Sequence, residues 1–272
     1  MKLAKRSKRV DRFAFTTAVT VASRALILRD KLLGRMKRTR LDYLAAPGIS
    51  KRKIPSGNQI LDAVFVSPAG ERTRAALLIC HGIGETVDHW GAVQTLLAAH
   101  GVASLVFDYA GYGGSTGIVD WEQCEEDSIA AFGALKSVVP GLPIGILGFS
   151  MGSGIAAAVL DRIAPQNLIL CSAFTSFREA ACSVGLPRVL SFLAPPIWNN
   201  LESLRRCSHE ALILHCEQDR VFPTRMASSL AACCGSGAKL VVVPNQKHNE
   251  PFYRPQFRYW NHVISLLMPD QG

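Results

Sequence analysis

A serine set between two glycines is the first place in this chain where chemistry can start. Gly148-Phe149-Ser150-Met151-Gly152 follows the apolar run Ile144-Gly145-Ile146-Leu147 and leads into Ser153-Gly154-Ile155-Ala156-Ala157-Ala158. That is the strand, turn and helix setting in which G-x-S-x-G presents a nucleophile. The serine must occupy the apex of a strained turn, where a Cβ two residues before or after it would strike neighbouring backbone. Gly148 and Gly152 remove those atoms. Gly154 and the alanines after it are expected to let the helix approach the sheet, and the helix N-terminus directs positive potential at the hydroxyl.

A serine hydroxyl is a weak nucleophile until a base takes its proton, so a histidine and an orienting acid are required. In doubly wound sheets ligands sit beyond the carboxyl ends of the strands, which selects particular loops. After Leu212-Ile213-Leu214-His215-Cys216 come Glu217-Gln218-Asp219-Arg220, and after Leu240-Val241-Val242-Val243 come Pro244 to Glu250, including His248. Asp219 and His248 are therefore the acid and base by position. Glu217 and Glu250 are the rival acids, disfavoured because the loop apex must reach the imidazole. His89 and His100 bracket a helix, His209 precedes a strand, His215 lies in one, and His262 sits in the terminal helix, so packed or solvated roles are expected for these.

Acyl transfer also needs backbone N–H donors aimed at the developing oxyanion. Met151, the residue after the nucleophile, supplies one. The second is expected from His81-Gly82-Ile83-Gly84-Glu85-Thr86, which follows Leu77 to Cys80; Ile83 is the candidate and Gly84 the alternative. The side chains of His81 and Glu85 are expected to be structural.

These residues need a frame. From about Ser50, short β-branched or aliphatic runs alternate with helical stretches. Strands are expected at 60–66, 75–80, 102–107, 143–149, 167–171, 211–216 and 238–243. Helices are expected at 89–100, 120–138, 151–163, 223–233 and 255–267. Repeated strand then helix implies right-handed crossovers and a mostly parallel sheet covered on both faces. About 40 residues separate the strands ending at Cys171 and starting at Ala211, rich in Phe, Leu, Val and Trp. Such an excursion reads as a cap at about 174–208, or else as a cover for the sheet edge.

The chain has 272 residues, 49% of them apolar and 19% charged, enough for one large α/β domain. No stretch reaches the roughly 18 apolar residues that span a bilayer. The net charge of +9 is unevenly placed: residues 1–40 hold thirteen Lys or Arg against Asp11 and Asp30, a balance of +11, leaving the rest at −2. A nucleic-acid-binding face is thereby disfavoured. The run Phe13 to Ser23 superficially resembles a signal peptide, but the cations from Arg24 to Arg40 flank it wrongly for one. Wound as a helix, residues 9–36 gather Val10, Phe15, Val19, Val21, Leu26, Leu28, Leu32, Leu33 and Met36 on one half and Arg9, Arg12, Arg24, Lys31 and Arg35 on the other, with Phe13, Ile27 and Arg29 breaking the split. This arm is suited to an anionic membrane surface, and equally to packing on the body. The eight cysteines lack C-x-x-C spacing and several lie in apolar runs, so neither a zinc ribbon nor a thioredoxin-type site is indicated and a reduced, cytoplasmic compartment fits; no metal or cofactor is expected of the chain.

The order Ser150, Asp219, His248, the loop His81-Gly82-Ile83-Gly84-Glu85, the segment Phe107-Asp108-Tyr109-Ala110-Gly111-Tyr112-Gly113-Gly114-Ser115 and the serine turn together resemble the α/β-hydrolase superfamily. They are most similar to its serine-aminopeptidase-like and monoacylglycerol-lipase-like branch, over roughly residues 60–268. The resemblance implies an α/β-hydrolase fold with a short helical cap and a cofactor-free Ser-His-Asp mechanism. Asp108 and Tyr109 match the family motif and are assigned to scaffolding. The expected organisation is an arm at 1–50 and a hydrolase domain at 51–272. The expected activity is cleavage of esters or thioesters with apolar acyl groups drawn from a small-molecule or lipid substrate, by a cytoplasmic enzyme peripherally associated with membrane. A peptidase or amidase with the same triad, and an inactive membrane-associated binding protein on this scaffold, are the alternatives.

Overall fold

The computed structural model describes residues 48–70, 72–234 and 237–268. The arm at 1–40, with its amphipathic reading, lies outside the described residues. Eight strands form one sheet in the order β1-β2-β4-β3-β5-β6-β7-β8. They are β1 (Ile49–Ser56), β2 (Gln59–Val66), β3 (Ala75–Cys80), β4 (Val102–Phe107), β5 (Ile144–Phe149), β6 (Asn167–Cys171), β7 (Glu210–Cys216) and β8 (Ala238–Val243). β1 pairs antiparallel with β2 and β2 antiparallel with β4, and every other pairing is parallel. The expected mostly parallel, doubly wound sheet is what forms.

The central strands β3 to β6 are buried along their whole length, which is why they read as unbroken apolar runs. Side chains alternate between faces: Leu78 joins the core on one side while Leu77 and Ile79 join the core on the other. β1 escaped the sequence reading. Its residues Ile49-Ser50-Lys51-Arg52-Lys53-Ile54-Pro55-Ser56 expose three consecutive cations and bury only Ile54 and Ser56, and an outermost strand tolerates both charge and proline.

The helices are α1 (Gly91–Ala98), α2 (Trp121–Val138), α3 (Met151–Ala158), α4 (Leu160–Ile163), α5 (Phe177–Ser183), α6 (Asn200–Arg206), α7 (Thr224–Cys233), α8 (Glu250–Tyr253) and α9 (Phe257–Leu267). Residues 151–163, expected as one helix, are interrupted at Val159. α2 starts at Asp120, whose carboxylate accepts the N–H groups of Glu122 and Gln123. One core takes in α2, α3 and α7, the other α1 and α9.

The long excursion after β6 holds α5, a 3-10 turn at Arg188–Leu193 and α6. Its inner side is anchored: Asn200 is fully buried and donates to the Phe174 carbonyl at 2.9 Å. Trp198, buried with a left-handed backbone (φ 46°), donates through Nε1 to Glu125 on α2 at 3.0 Å. A Cβ on Gly154 would meet the side chains of Trp198 and Phe174 at 2.7 and 2.8 Å. Gly154 thus makes room for this excursion, a correction to the expectation that it brings α3 onto the sheet. The outer side is bare: Val189 is 81% and Phe192 66% exposed. No helix among the described residues is long and apolar enough to cross a membrane.

Candidate active site

Ser150 caps the N-terminus of α3 at the end of β5 with φ 51° and ψ −117°, a backbone that L side chains rarely adopt. The turn is pinned by the Ser150 N–H to the Cys171 carbonyl at 3.0 Å and by Ser153 Oγ donating to the Ser150 carbonyl at 2.6 Å. The glycines act as their spacing implied. A Cβ on Gly148 would meet the backbone of Gly152 and stand 2.6 Å from the Ser153 Cα, and one on Gly152 would strike the carbonyl of Cys80.

His248 leaves the end of β8 and brings Nε2 to 3.1 Å from Ser150 Oγ. Its Nδ1 donates to Asp219 Oδ2 at 2.6 Å. Asp219 follows β7, and its other oxygen accepts the N–H groups of Val221 and Phe222 at 2.8 and 2.9 Å. Burial works to raise the proton affinity of this carboxylate, but the hydrogen bond and charge of His248 and the two amides outweigh it and hold the group below its usual range. The rings of Phe149 and Phe222 flank the imidazole at 5.2 and 5.5 Å.

The rival acids are engaged elsewhere. Glu217 Oε2 accepts the Asn245 N–H at 3.1 Å and Glu250 Oε2 the Lys247 N–H at 2.9 Å. The Glu217 bond, with Gln218 N–H on the Gln246 carbonyl at 2.9 Å, ties the loop after β7 to the loop after β8.

The loop after β3 is built on a buried carboxylate. Glu85 Oε2 accepts the Gly82 N–H at 2.9 Å and Trp90 Nε1 at 3.2 Å, and burial pushes its proton affinity up to about 7. His81 is fully buried, its Nδ1 donates to the Gly82 carbonyl at 2.8 Å, and burial lowers its pKa to about 4, so the ring is neutral. Tyr109 donates to the His81 carbonyl at 3.2 Å, and Asp108 accepts the Val87 and Gly114 N–H groups. These four side chains all hold backbone. Gly84 has φ 75°, a left-handed turn that sets the orientation of Ile83 beside it. Among the described residues, the amides of Ile83 and Met151 have no protein acceptor.

His215, given a packed or solvated role by the sequence, is packed: it is fully buried in β7, with Nε2 3.7 Å from Asp219 Oδ2. The cue to that proximity was its place: a histidine inside an apolar strand, four residues before the acid. Among the described residues no group of His, Cys, Asp and Glu could hold a metal, and all eight cysteines are free thiols.

The family model for serine aminopeptidase, S33, matches residues 71–209, about half of the chain. The chain belongs to this S33 family of α/β hydrolases. The S33 match contains Ile83 and Ser150 and stops short of Asp219 and His248, which only the fold brings to the serine. A lysophosphatidylserine lipase, ABHD12 of Danio rerio, is 28% identical over 237 residues, covering 78% of this chain and 62% of the lipase. The chain therefore spans about three fifths of that relative's length. Two solved esterases share the S33 chain's fold. Pf2001 of Pyrococcus furiosus has a TM-score of 0.66 at 18% identity, covering 80% of this chain and 89% of its own. EaEST of Exiguobacterium antarcticum has 0.64 at 17%, covering 80% and 99%.

Proposed function

We propose that this hydrolase cleaves carboxylic esters or thioesters of apolar acyl groups through Ser150, His248 and Asp219 and a covalent acyl-enzyme. The observation that carries the reading is the continuous relay from Ser150 Oγ through His248 to Asp219, with both links within hydrogen-bond distance. Ser150 Oγ attacks the carbonyl carbon as His248 Nε2 takes its proton, and Asp219 stabilises the imidazolium formed. The N–H groups of Met151 and Ile83 hold the oxyanion. Collapse of the tetrahedral intermediate passes the proton from His248 to the leaving oxygen or sulfur. Water then enters by the same route in reverse order and releases the acid.

The acyl preference is supported by the bare apolar side of the cap at 174–208 and by the lipase and esterase names of the relatives. An amide-cleaving peptidase would want an unpaired carboxylate to receive the substrate's amino group. The cap's Glu179 and Glu202 are instead paired with Arg188 and Arg206. An inactive binding scaffold has no need of the relay that stands between Ser150 and Asp219.

The basic arm completes the proposal: an N-terminal segment at 1–50 that draws the hydrolase body at 51–272 to anionic lipid, the enzyme being otherwise cytoplasmic. Sedimentation with anionic vesicles at low and high salt tests the arm. Equal binding after deletion of residues 1–40 overturns it.

For the activity, the wild type and Ser150→Ala are compared on p-nitrophenyl esters, acylglycerols, acyl thioesters and amides, with fluorophosphonate labelling in parallel. Ser150→Ala abolishes both turnover and labelling if the reading holds. Undiminished labelling of the variant moves the nucleophile elsewhere, and amide turnover above ester turnover turns the reading to the peptidase.

A further inference from the structure

His215 is the next-to-last residue of β7 and is fully buried. Its Nε2 lies 3.0 Å from the Phe222 carbonyl and 3.7 Å from Asp219 Oδ2. A carbonyl oxygen only accepts, so Nε2 carries the proton; Nδ1, also buried, has no partner among the described residues. We propose that His215 is a positioning residue for the acid–base pair, clamping the Asp219 loop through the Phe222 carbonyl and turning its N–H dipole toward the carboxylate oxygen that His248 uses. The proposal rests on the reading of Ser150, His248 and Asp219 given above.

One hydrogen bond reaches both partners of the relay. Phe222 offers its N–H to Asp219 Oδ1 and its ring to a T-shaped contact with His248, while its carbonyl is the oxygen held by His215. Fixing that single peptide fixes the carboxylate and one wall of the imidazole together. Two imidazoles nevertheless face one carboxylate, and only one of them can be allowed to become a cation. Burial lowers the proton affinity of His215, outweighing the Phe222 carbonyl bond and the Asp219 charge that pull the other way, and the nearby charge of His248 lowers it too. When the Ser150 proton moves, His248 is therefore the imidazole that becomes the cation beside Asp219. A histidine is suited to this place because it is large enough to fill the strand's buried position, donates at its far nitrogen and stays neutral.

The test compares His215→Leu, His215→Asn and His215→Gln in the full chain, using a p-nitrophenyl ester. The glutamine amide nitrogen can occupy the site of the ring Nε2, whereas the asparagine nitrogen sits near Nδ1 and falls short of Phe222. Leucine and asparagine are expected to lower kcat roughly ten- to a hundredfold with KM changed less than about twofold, and glutamine to restore most of the loss. The acid limb of the kcat/KM profile moves to lower pH in the leucine and asparagine variants, because a loosened Asp219 stabilises imidazolium less. Wild-type kcat and pH profile in both overturn the proposal. If the leucine protein does not fold, equal kcat and profile for asparagine and glutamine overturn it. Ser150→Ala, run alongside, separates the two readings: retained labelling there removes the relay itself, whereas lost labelling with unchanged His215 variants removes only the clamp.

Discussion

His248 Nδ1 stands 2.6 Å from Asp219 Oδ2, while Oδ1 of the same carboxylate is taken by two backbone amides. The two oxygens divide their duties, one fixing the carboxylate to its own loop and the other holding the imidazole. Asp219→Asn preserves the shape but offers an amide N–H where an acceptor is needed, or forces the imidazole into the wrong tautomer. We expect kcat to fall by about 10⁴ with KM little altered, measured with a soluble ester. Because the folded chain lowers the proton affinity of Asp219, its contribution to stability is present above the unfolded value near 3.8. It is lost as pH falls through the lower folded value.

Glu85 carries the opposite sign. Burial raises it from 4.5 to about 7, so over that interval the unfolded chain gives up its proton before the folded one does. Stability linked to Glu85 is complete below pH 4.5 and declines as pH rises through 7. Both of its donors reach the same oxygen, which glutamine can supply. Glu85→Gln is expected to match the wild type near pH 4.5 and to exceed it by about 3 kcal/mol at pH 8. Urea unfolding at the two pH values checks this, and a difference independent of pH sinks it.

Gly152 and Gly133 make a contrasting pair. A Cβ on Gly152 runs into the Cys80 carbonyl and stands 2.7 Å from the His81 oxygen, and neither backbone atom can swing aside. Gly152→Ala should cost about 1–3 kcal/mol and, by displacing the strand end that leads to Ile83, lower kcat roughly tenfold or more. Gly133 lies on the exposed side of α2 with open space around its Cα. Gly133→Ala should stabilise by about 0.5–1 kcal/mol with activity intact, as thermal melts and ester assays would reveal.

What could be read from the sequence was whatever the pattern of one segment decides. The interior strands announced themselves because burial on both faces demands unbroken apolar runs, and the strand-end rule picked the two loops whose Asp219 and His248 meet Ser150. β1 was hidden because an outermost strand with Lys51, Arg52 and Lys53 carries no apolar signature. What His215 holds was hidden for a different reason. Its partners are the carbonyl of Phe222 and a carboxylate in the next loop, and nothing in residue type alone distinguishes a clamp from a packed ring. Gly154 showed the same limit, since what occupies the space above it, Trp198, comes from more than 40 residues away.

The exposed side chains of the cap offer a test of acyl preference that leaves the fold alone. Val189 and Phe192 are 81% and 66% exposed, so replacing both with serine should change stability by less than about 0.5 kcal/mol. The ratio of kcat/KM for a long-chain over a short-chain p-nitrophenyl ester should fall severalfold. An unchanged ratio separates the cap from chain-length preference.

The proposed proton relay is assembled out of order. Ser150 and its strained turn lie 98 residues ahead of His248, which hangs from β8, the last of the described strands and the far edge of their sheet. A nascent chain that has finished β5 therefore holds an alcohol with no base to ionise it. On the proposed mechanism reactivity arrives only when that edge has been laid down, so a half-made molecule is chemically inert.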